Sequence, residues 1–437
     1  MHPLKEIIEN RNRGKHAGIW SICSANRYVI EAGMLRCAAH KLPVLIEATA
    51  NQVNQDGGYT GMTPAQFRDF VLKIACEIGF PENKIIFGGD HLGPLTWAKE
   101  TEESAMKKAE VLVDSYVRAG YTKIHIDTSM RLGSDDAEKP LSSKVVAERG
   151  ARLARVCENA YQALLQTDAK APHPVYIVGS EVPVPGGTKE EEGLTVTSPD
   201  AFETTLKQFC DAFEKAGVDA ENIVAVVVQP GVEFGNNGVH AYSSDAAKTL
   251  CTYRAEKYPQ VVFEGHSTDY QTKYALREMV ADGIAILKVG PALTFALREG
   301  LFALSRIEKE VMADQKESQS YFMEILDEAM VKNPCYWAGY YHGNEYEIQF
   351  ARKYGMSDRC RYYLTVPAVE AAMEKLLQNL AKKTLPQAIV SQYLPQQYRC
   401  VKEQHMPCTA KQLLLDKVGT LMDDYIYAVV ASGDPDY

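Results

Sequence analysis

The sequence predicts a (β/α)8 barrel with a helical C-terminal extension, and three observations lead to this fold class. Eight short apolar runs rich in β-branched residues recur through about the first 290 residues. Longer segments with apolar residues at helical spacing lie between these runs. The strand rhythm stops after residue 313 and only helical patterns follow. We therefore expect a barrel at 1–313 and a helical extension packed on it at 314–437.

The predicted strands are apolar on both faces, as parallel strands covered by helices are. The eight runs are Ala17–Cys23, Pro43–Thr49, Lys84–Asp90, Lys123–Ser129, Pro174–Glu181, Ile223–Gly231, Gln260–Ser267 and Ile284–Pro291. So many strand–helix repeats favour a closed barrel over an open doubly wound sheet. The sequence has no GxGxxG after its first strand and no GxxxxGK(S/T), so dinucleotide binding and Walker-type phosphoryl transfer lose their support.

Helical segments are predicted from apolar periodicity and from their first residues. Between strands, Pro64–Glu77 and Ala105–Ala119 have this spacing, and Thr63 is predicted to cap the first of them. In the extension the same pattern predicts helices at Ser320–Val331, Ala368–Ala381 and Ala410–Ala428.

Composition excludes several classes of partner. The net charge of −10 is spread over 437 residues without a basic block, so no nucleic-acid surface is expected. No signal peptide and no apolar stretch long enough for a bilayer are visible, so no membrane association is expected. The ten cysteines form no CxxC pair and are expected to be reduced thiols of a cytoplasmic protein.

Polar residues that can do chemistry recur where the predicted strands end. In a (β/α)8 barrel the active site is built at that rim. Any one of these residues could be a rim or capping residue, but nearly every strand contributes one. They are Glu47, Asn51, Asp90, His91, Asp127, Glu181, Gln229, Glu233, His266, Ser267, Thr268, Lys288 and Gly290.

Two histidines are the strongest candidates for metal ligands. His91 and His266 each close an apolar strand, and neutral imidazoles beside carboxylates suit zinc or another divalent transition metal. The alternative is a pair of hydrogen-bonded core histidines. His125 lies on the same strand face as Asp127 and is interpreted as a histidine of a lower barrel layer rather than a ligand.

Longer motifs in the chain resemble one family. GGDHLGP (88–94), KIHIDTSM (123–130), EVPVPGG (181–187), VVVQPGVEF (226–234), EGHSTDYQT (264–272) and ILKVGPALTFALREGLFAL (286–304) look like the GatZ/KbaZ family, the accessory Z subunits of D-tagatose-1,6-bisphosphate aldolase. The resemblance extends over essentially the whole chain, including YWAGYY and VSQYLPQQY in the extension. It implies a sugar-phosphate ligand, a role in galactitol or N-acetylgalactosamine catabolism, and a catalytic Y subunit as partner.

A more distant resemblance to the class II, zinc-dependent aldolases implies individual roles. Asp90 would handle the proton, with Asp127 and Glu181 as further catalytic carboxylates. His91 and His266 would bind the metal ion. Glu47, Asn51, Gln229, Ser267, Thr268, Lys288 and Gly290 are expected to contact the substrate or its phosphate groups.

Two departures from the aldolase pattern concern the metal and the substrate. The position of the third metal-binding histidine holds Gln229, so the third ligand is expected among Glu181, Gln229, Glu233 and His240, with Glu233 preferred. Gly290 replaces an asparagine that contacts the enediolate.

Two functions stay open. One is an accessory subunit that supports the aldolase chemistry of a partner. The other is a metal-dependent tagatose/fructose (6-phosphate) 4-epimerase, because the rim residues are retained together. The resemblance leaves a homo-oligomer open as well.

Overall fold

A computed structural model describes residues 1–136, 138–139, 141–180 and 194–430. Within these ranges eight parallel strands close into a barrel in chain order, with the last strand paired to the first. The strands are β1 Ile19–Ile22, β2 Val44–Thr49, β3 Ile85–Leu92, β4 Lys123–Ile126, β5 Val175–Val178, β6 Ile223–Val228, β7 Val262–Gly265 and β8 Ile284–Val289. The predicted (β/α)8 fold is confirmed. Each predicted strand coincides with one of these, although β3 continues two residues beyond its predicted end at Asp90.

The strands form because both of their faces are covered. β6 has the sequence IVAVVV and is buried along its whole length, as is β8. Such runs of β-branched residues suit a sheet with side chains filling its interior and helices on its outside. Beyond β6, the two-residue strands Glu233–Phe234 and Val239–His240 pair antiparallel as a small hairpin at the rim.

The helices of the described residues cover the barrel and build the C-terminal region. They are α1 Pro3–Asn12, α2 Arg27–Ala39, α3 Pro64–Ile78, α4 Glu102–Arg118, α5 Ser143–Leu165, α6 Pro199–Lys215, α7 Ser244–Lys257, α8 Lys273–Asp282, α9 Pro291–Val311, α10 Phe322–Lys332, α11 Glu345–Tyr354, α12 Pro367–Ala381, α13 Gln387–Tyr393, α14 Pro395–Glu403 and α15 Ala410–Val429. As predicted, Thr63 caps α3, in a capping box with Gln66. No helix in the described ranges is long and apolar enough to cross a bilayer.

Helix α1 closes the end of the barrel opposite the rim. Leu4 and Ile8 are buried in one apolar cluster with residues from the strands, including Leu45 and Ile286. His2 caps the helix, because its Nδ1 accepts a hydrogen bond from the backbone N–H of Leu4 at 3.2 Å. The helix therefore seals the barrel floor and is held there by a neutral histidine.

The C-terminal region returns to the barrel through α15. This helix packs against α2, α8 and α9, which follow β1, β7 and β8. Its Tyr425 ring lies 5.8 Å from the ring of Trp20 on β1, and its hydroxyl donates to the carbonyl of Thr268 at 2.9 Å. The region is thus helical and packed on the barrel, while the domain boundary at residue 313 stays a prediction.

Candidate metal and substrate site

Charged and histidine side chains from five strands meet inside the upper part of the barrel. Alternation along β4 points Lys123 and His125 to the same side, and Glu264 and His266 share a side at the end of β7 for the same reason. All members of this cluster are buried. They are Glu47, Asp90, His91, Lys123, His125, Asp127, Glu264, His266 and Lys288.

Three histidines are each held by one carboxylate. His91 Nδ1 lies 2.8 Å from Asp127 Oδ2, and His266 Nε2 lies 2.9 Å from Glu264 Oε1. His125 Nδ1 lies 2.8 Å from Asp90 Oδ1. A ring nitrogen that donates to a carboxylate leaves the opposite nitrogen with a free lone pair. His125 differs, because its Nδ1 also accepts a hydrogen bond from the backbone N–H of His91 at 3.1 Å; its Nε2 is buried and has no hydrogen-bond partner in the described structure.

The three imidazoles and Asp90 could hold one metal ion. Ligand atoms of Asp90, His91, His125 and His266 all lie within 4.8 Å of one another. Burial and the nearby Lys288 ammonium lower the pKa of His266 to about 3, and burial lowers the pKa of His125 as well. Both rings are therefore neutral near pH 7, which is the form that binds a metal. Several nitrogens with a carboxylate suit a divalent transition metal such as zinc.

Two lysines balance part of the acidic charge. Lys123 Nζ lies 2.7 Å from Glu47 Oε1 and 2.6 Å from Glu264 Oε2. Lys288 contacts Asp90 directly and lies 3.4 Å from Glu47 Oε2. Among these described side chains, the carboxylates of Glu47, Asp90, Asp127 and Glu264 outnumber the two ammonium groups by two. A divalent cation would neutralise that excess.

The ionisation of Asp90 and Lys288 follows from their contact. Burial opposes the charge of Asp90, but His91 and Lys288 outweigh it and hold the pKa of the carboxyl well below its ordinary value. Burial likewise opposes the charge of Lys288, but Asp90 and Glu47 hold its pKa well above the ordinary value. The pair is an ammonium and a carboxylate near neutral pH.

The backbone around the histidines departs from ordinary strand geometry. His91 and Ser267 have φ of 47° and 54°, a left-handed conformation that non-glycine residues rarely adopt. At Gly93 an added Cβ would lie 1.7 Å from the carbonyl oxygen of Asp127. Only glycine allows the chain after His91 to pass so close to Asp127, which explains the glycine in the DHLG segment.

A cavity of about 90 Å³ opens above the cluster. Its wall includes residues from the rim and from the loop after β2. It also includes Arg361 and Tyr362 from the C-terminal region. Of the predicted site residues, those lining it are Asn51, Asp90, His91, His266, Ser267, Lys288 and Gly290.

Three predicted residues have other contacts, and a fourth lies outside the described residues. Glu233 is not among the four residues that share the metal-type site; its Oε1 accepts from the N–H of Phe234 at 3.0 Å. Gln229 Oε1 accepts from the N–H groups of Gly231 and Val232 in its own loop. Thr268 is fully buried, and its hydroxyl donates to the carbonyl of Lys288 at 2.6 Å. Glu181 lies outside the described residues.

The two other predicted carboxylates lie behind the cavity wall. Glu47 is buried against the lysines, and Asp127 is buried against His91. Neither is among the residues that line the cavity. Their positions suit the orientation of other side chains rather than contact with a substrate.

The N-terminus of α9, which follows β8, is occupied by a side chain of the protein. Asp269 Oδ1 accepts from the N–H of Gly290 at 3.1 Å and of Ala292 at 2.8 Å. These are N–H groups that could otherwise bind a phosphate. That Gly290 binds a phosphate group stays a prediction, and the hydrogen bond from its N–H to Asp269 does not favour it.

Sequence reasoning did not assign four members of the site. Lys123 and Glu264 carried a usable signal, because each lies two residues before a histidine on the same strand face. The sequence predicted the strand face of His125, but not its position along the barrel axis. Arg361 carried no signal, since it lies in the C-terminal region far from any strand.

Comparison with known proteins agrees with this fold. A family model described as "D-tagatose-1,6-bisphosphate aldolase subunit GatZ/KbaZ-like" matches residues 4–430. A solved structure described as a probable tagatose 6 phosphate kinase from Sinorhizobium meliloti 1021 is 44% identical, covers 94% of this chain and 100% of its own, and has a TM-score of 0.84.

More distant matches are described as aldolases. The fructose-bisphosphate aldolase of Campylobacter jejuni is 12% identical with a TM-score of 0.44, covering 86% of this chain and 91% of its own. The YdjI aldolase of Escherichia coli K12 is 12% identical with a TM-score of 0.40, covering 84% of this chain and 94% of its own. At these values the likeness supports no inference about activity.

Proposed function

This chain belongs to the D-tagatose-1,6-bisphosphate aldolase subunit GatZ/KbaZ-like family, and from that premise we propose that it is the accessory subunit of a tagatose-1,6-bisphosphate aldolase. Its own barrel would hold a divalent metal ion, zinc by preference, and a ketose phosphate. The observation that carries the metal and ligand part is the set of three imidazoles, each oriented by one carboxylate, below the open cavity. The aldolase cleaves a ketose bisphosphate into dihydroxyacetone phosphate and glyceraldehyde 3-phosphate. The unpaired state of all ten cysteines suits the cytoplasm, where we place the protein.

Each group of the cluster has a defined part in binding. A bound divalent ion would polarise the carbonyl and hydroxyl oxygens of a ketose. His91, His125 and His266 would hold that ion. Lys288 is a charged donor at the cavity wall and would stabilise negative charge that develops on a substrate oxygen.

The state of Asp90 favours the accessory role over independent aldolase chemistry. A general base works best when its pKa is near the operating pH. Burial raises the pKa of Asp90, but its contacts with His91 and Lys288 hold that pKa well below the ordinary value. Asp90 is therefore a weak proton acceptor here, and the cleaving subunit would be a separate chain.

The accessory role is tested with the purified full chain and with the catalytic subunit. We expect about one metal ion per chain by elemental analysis, no bisphosphate cleavage by this chain alone, and a rise in the activity and thermal midpoint of the catalytic subunit on mixing. Full cleavage by this chain alone, or no effect on the catalytic subunit, would contradict the accessory role. A metal-free chain that cannot be loaded would contradict the metal site.

A second candidate, a metal-dependent 4-epimerase of ketose 6-phosphates, is favoured by Asp269. This carboxyl lines the cavity, and burial raises its pKa to about 6, against the opposing effect of the backbone N–H groups of Ala292 and Gly290. A group with that pKa can exchange protons near neutral pH. The epimerase would take the proton of the C4 hydroxyl, break the C3–C4 bond, and re-form it on the other face of the aldehyde, with no net oxidation.

The epimerase is tested by incubating the metal-loaded chain with tagatose 6-phosphate and measuring fructose 6-phosphate. Turnover that is lost in His91→Ala and Asp269→Asn would establish it and reject a purely accessory role. The absence of turnover in the metal-loaded chain would reject the epimerase. A kinase activity of the kind named for the Sinorhizobium protein gains no support from this sequence, which has no GxxxxGK(S/T) motif.

A further inference from the structure

An arginine of the C-terminal region lies in the wall of the barrel cavity. Arg361 lines the cavity together with Asp90, His91 and Lys288. It also lines a neighbouring cavity together with Gln52 and Tyr59, so it lies where the two meet. A residue from outside the barrel strands thus contributes a cation to the space above the metal-type cluster.

The guanidinium of Arg361 is held in place and still has donors to spare. Its Nη1 donates to the carbonyls of Ser357 at 2.5 Å and Asp358 at 3.0 Å, and its Nη2 donates to the hydroxyl of Tyr362 at 3.0 Å. The guanidinium has more N–H groups than these bonds use. Its Nε–H and one Nη2–H have no partner among the described residues.

A second arginine increases the positive charge at the same point. Arg359 Nη1 also donates to the Tyr362 hydroxyl, at 3.2 Å. Within the described ranges no carboxylate oxygen lies within 4.0 Å of either guanidinium. Burial raises the pKa of Tyr362, yet Arg361 and Arg359 outweigh it and lower that pKa below the ordinary value. Two arginines on one hydroxyl, with no described carboxylate oxygen within 4.0 Å of either, concentrate positive charge at this point.

The usual phosphate-binding groups at the rim are already used. The N–H groups of Gly290 and Ala292 donate to Asp269, and the Thr268 hydroxyl donates to a backbone carbonyl. Lys288 is surrounded by Asp90, Glu47 and Glu264. Of the two described cations that line the cavity, Lys288 and Arg361, Arg361 is therefore the one with free donors and no carboxylate oxygen within 4.0 Å.

We propose that Arg361 is the binding residue for the phosphate group of a small phosphorylated sugar, which it would hold through its free N–H groups. A planar guanidinium matches the oxygens of a phosphate monoester and forms strong charge-assisted hydrogen bonds with it. The role of Arg361 is to select phosphorylated over unphosphorylated ketoses. This inference rests on the proposed function, because it names the residue that would read the phosphate of the proposed ligand.

The test measures binding on the chelator-treated full chain, so that no metal ion coordinates phosphate. Inorganic phosphate, a ketohexose 6-phosphate and the unphosphorylated ketohexose are titrated by calorimetry into the wild type, Arg361→Met, Arg361→Lys and the control Arg399→Met. Arg399 lies in the same region, is 75% exposed in its side chain and pairs with Glu403, so its loss changes net charge equally. Circular dichroism and thermal midpoints establish folding.

The wild type and Arg399→Met should bind inorganic phosphate and prefer the 6-phosphate at least tenfold over the free sugar. Arg361→Met should lose phosphate binding and this preference, and Arg361→Lys should lose several-fold of both. If Arg361→Met does not fold, Arg361→Lys decides. An unchanged preference in a folded variant, or no phosphate binding by the wild type, would overturn the assignment. A wild type that binds phosphate but no sugar would contradict the proposed function alone.

Discussion

The imidazole of His91 and the carboxylate of Asp127 form a buried pair, with Nδ1 and Oδ2 2.8 Å apart. Asp127 also accepts from the hydroxyl of Ser129 at 2.7 Å, which fixes the carboxylate in turn. The pair directs the other ring nitrogen of His91 away from Asp127 and sets the tautomer. A carboxylate behind a histidine is the arrangement that tunes metal-binding imidazoles in proteins.

We predict that Asp127→Asn weakens divalent metal binding about 10- to 100-fold, because the amide cannot fix the donor state of His91 Nδ1 as the carboxylate does. Affinity is measured by competition with a chromogenic chelator. Asp314→Asn, at an exposed position after α9, is the control and should leave the affinity unchanged. Equal affinities of the Asp127 variant and the wild type would contradict a metal-orienting role for Asp127.

The third nitrogen ligand is predicted to be His125. We expect His125→Ala to reduce metal affinity by a factor of ten or more, since its imidazole belongs to the same buried group as the other ligands. Glu233→Gln should leave the affinity within about a factor of three, because that carboxylate is outside the group. Competition titrations of both variants decide whether His125 or Glu233 is the third ligand. The opposite result would assign the third ligand to Glu233.

Gly93 is predicted to tolerate no side chain. We expect Gly93→Ala to lower the free energy of unfolding by about 3 kcal/mol or more, because the new methyl would overlap the carbonyl of Asp127. Gly235→Ala is the matched control: Gly235 has open space around its Cα, and its variant should change stability by less than about 0.5 kcal/mol. Denaturant midpoints of both variants test this, and similar midpoints would mean that the loop simply moves aside.

Much of the fold could be predicted because its signals are local. Each barrel strand is a continuous apolar run, and polar residues at the strand ends predicted the rim. The helices α11, α13 and α14 could not be predicted, since they have only 10, 7 and 9 residues and each buries at most one side chain.

The site could be predicted only where one strand carried the information. His91 and His266 follow apolar runs, so their position at the rim was visible. The position of His125 along the barrel axis depends on how β4 pairs with β3 and β5. Glu233 lies in the hairpin after β6, where its carboxylate accepts from the N–H of Phe234. Arg361 reaches the cavity by tertiary packing alone, which no spacing in the sequence encodes.

The barrel floor should respond to acid through His2. Burial and the neighbouring Lys5 ammonium lower the pKa of His2 from 6.5 to about 4. A lowered pKa means that folding favours the neutral ring, so its stabilisation is complete above pH 6.5 and is lost as the pH falls towards 4. The neutral ring is also the form that accepts from Leu4 N–H and caps α1. We expect this loss to be on the order of 3 kcal/mol.

His2→Asn separates this contribution from those of the other buried histidines. Asparagine is a good N-cap and does not titrate in this range, so the variant should match the wild type within about 0.5 kcal/mol at pH 7.5. At pH 5 it should be the more stable of the two. Thermal midpoints of both proteins at the two pH values measure the difference. A difference that is the same at both pH values would show that protonation of His2 is not coupled to the packing of α1.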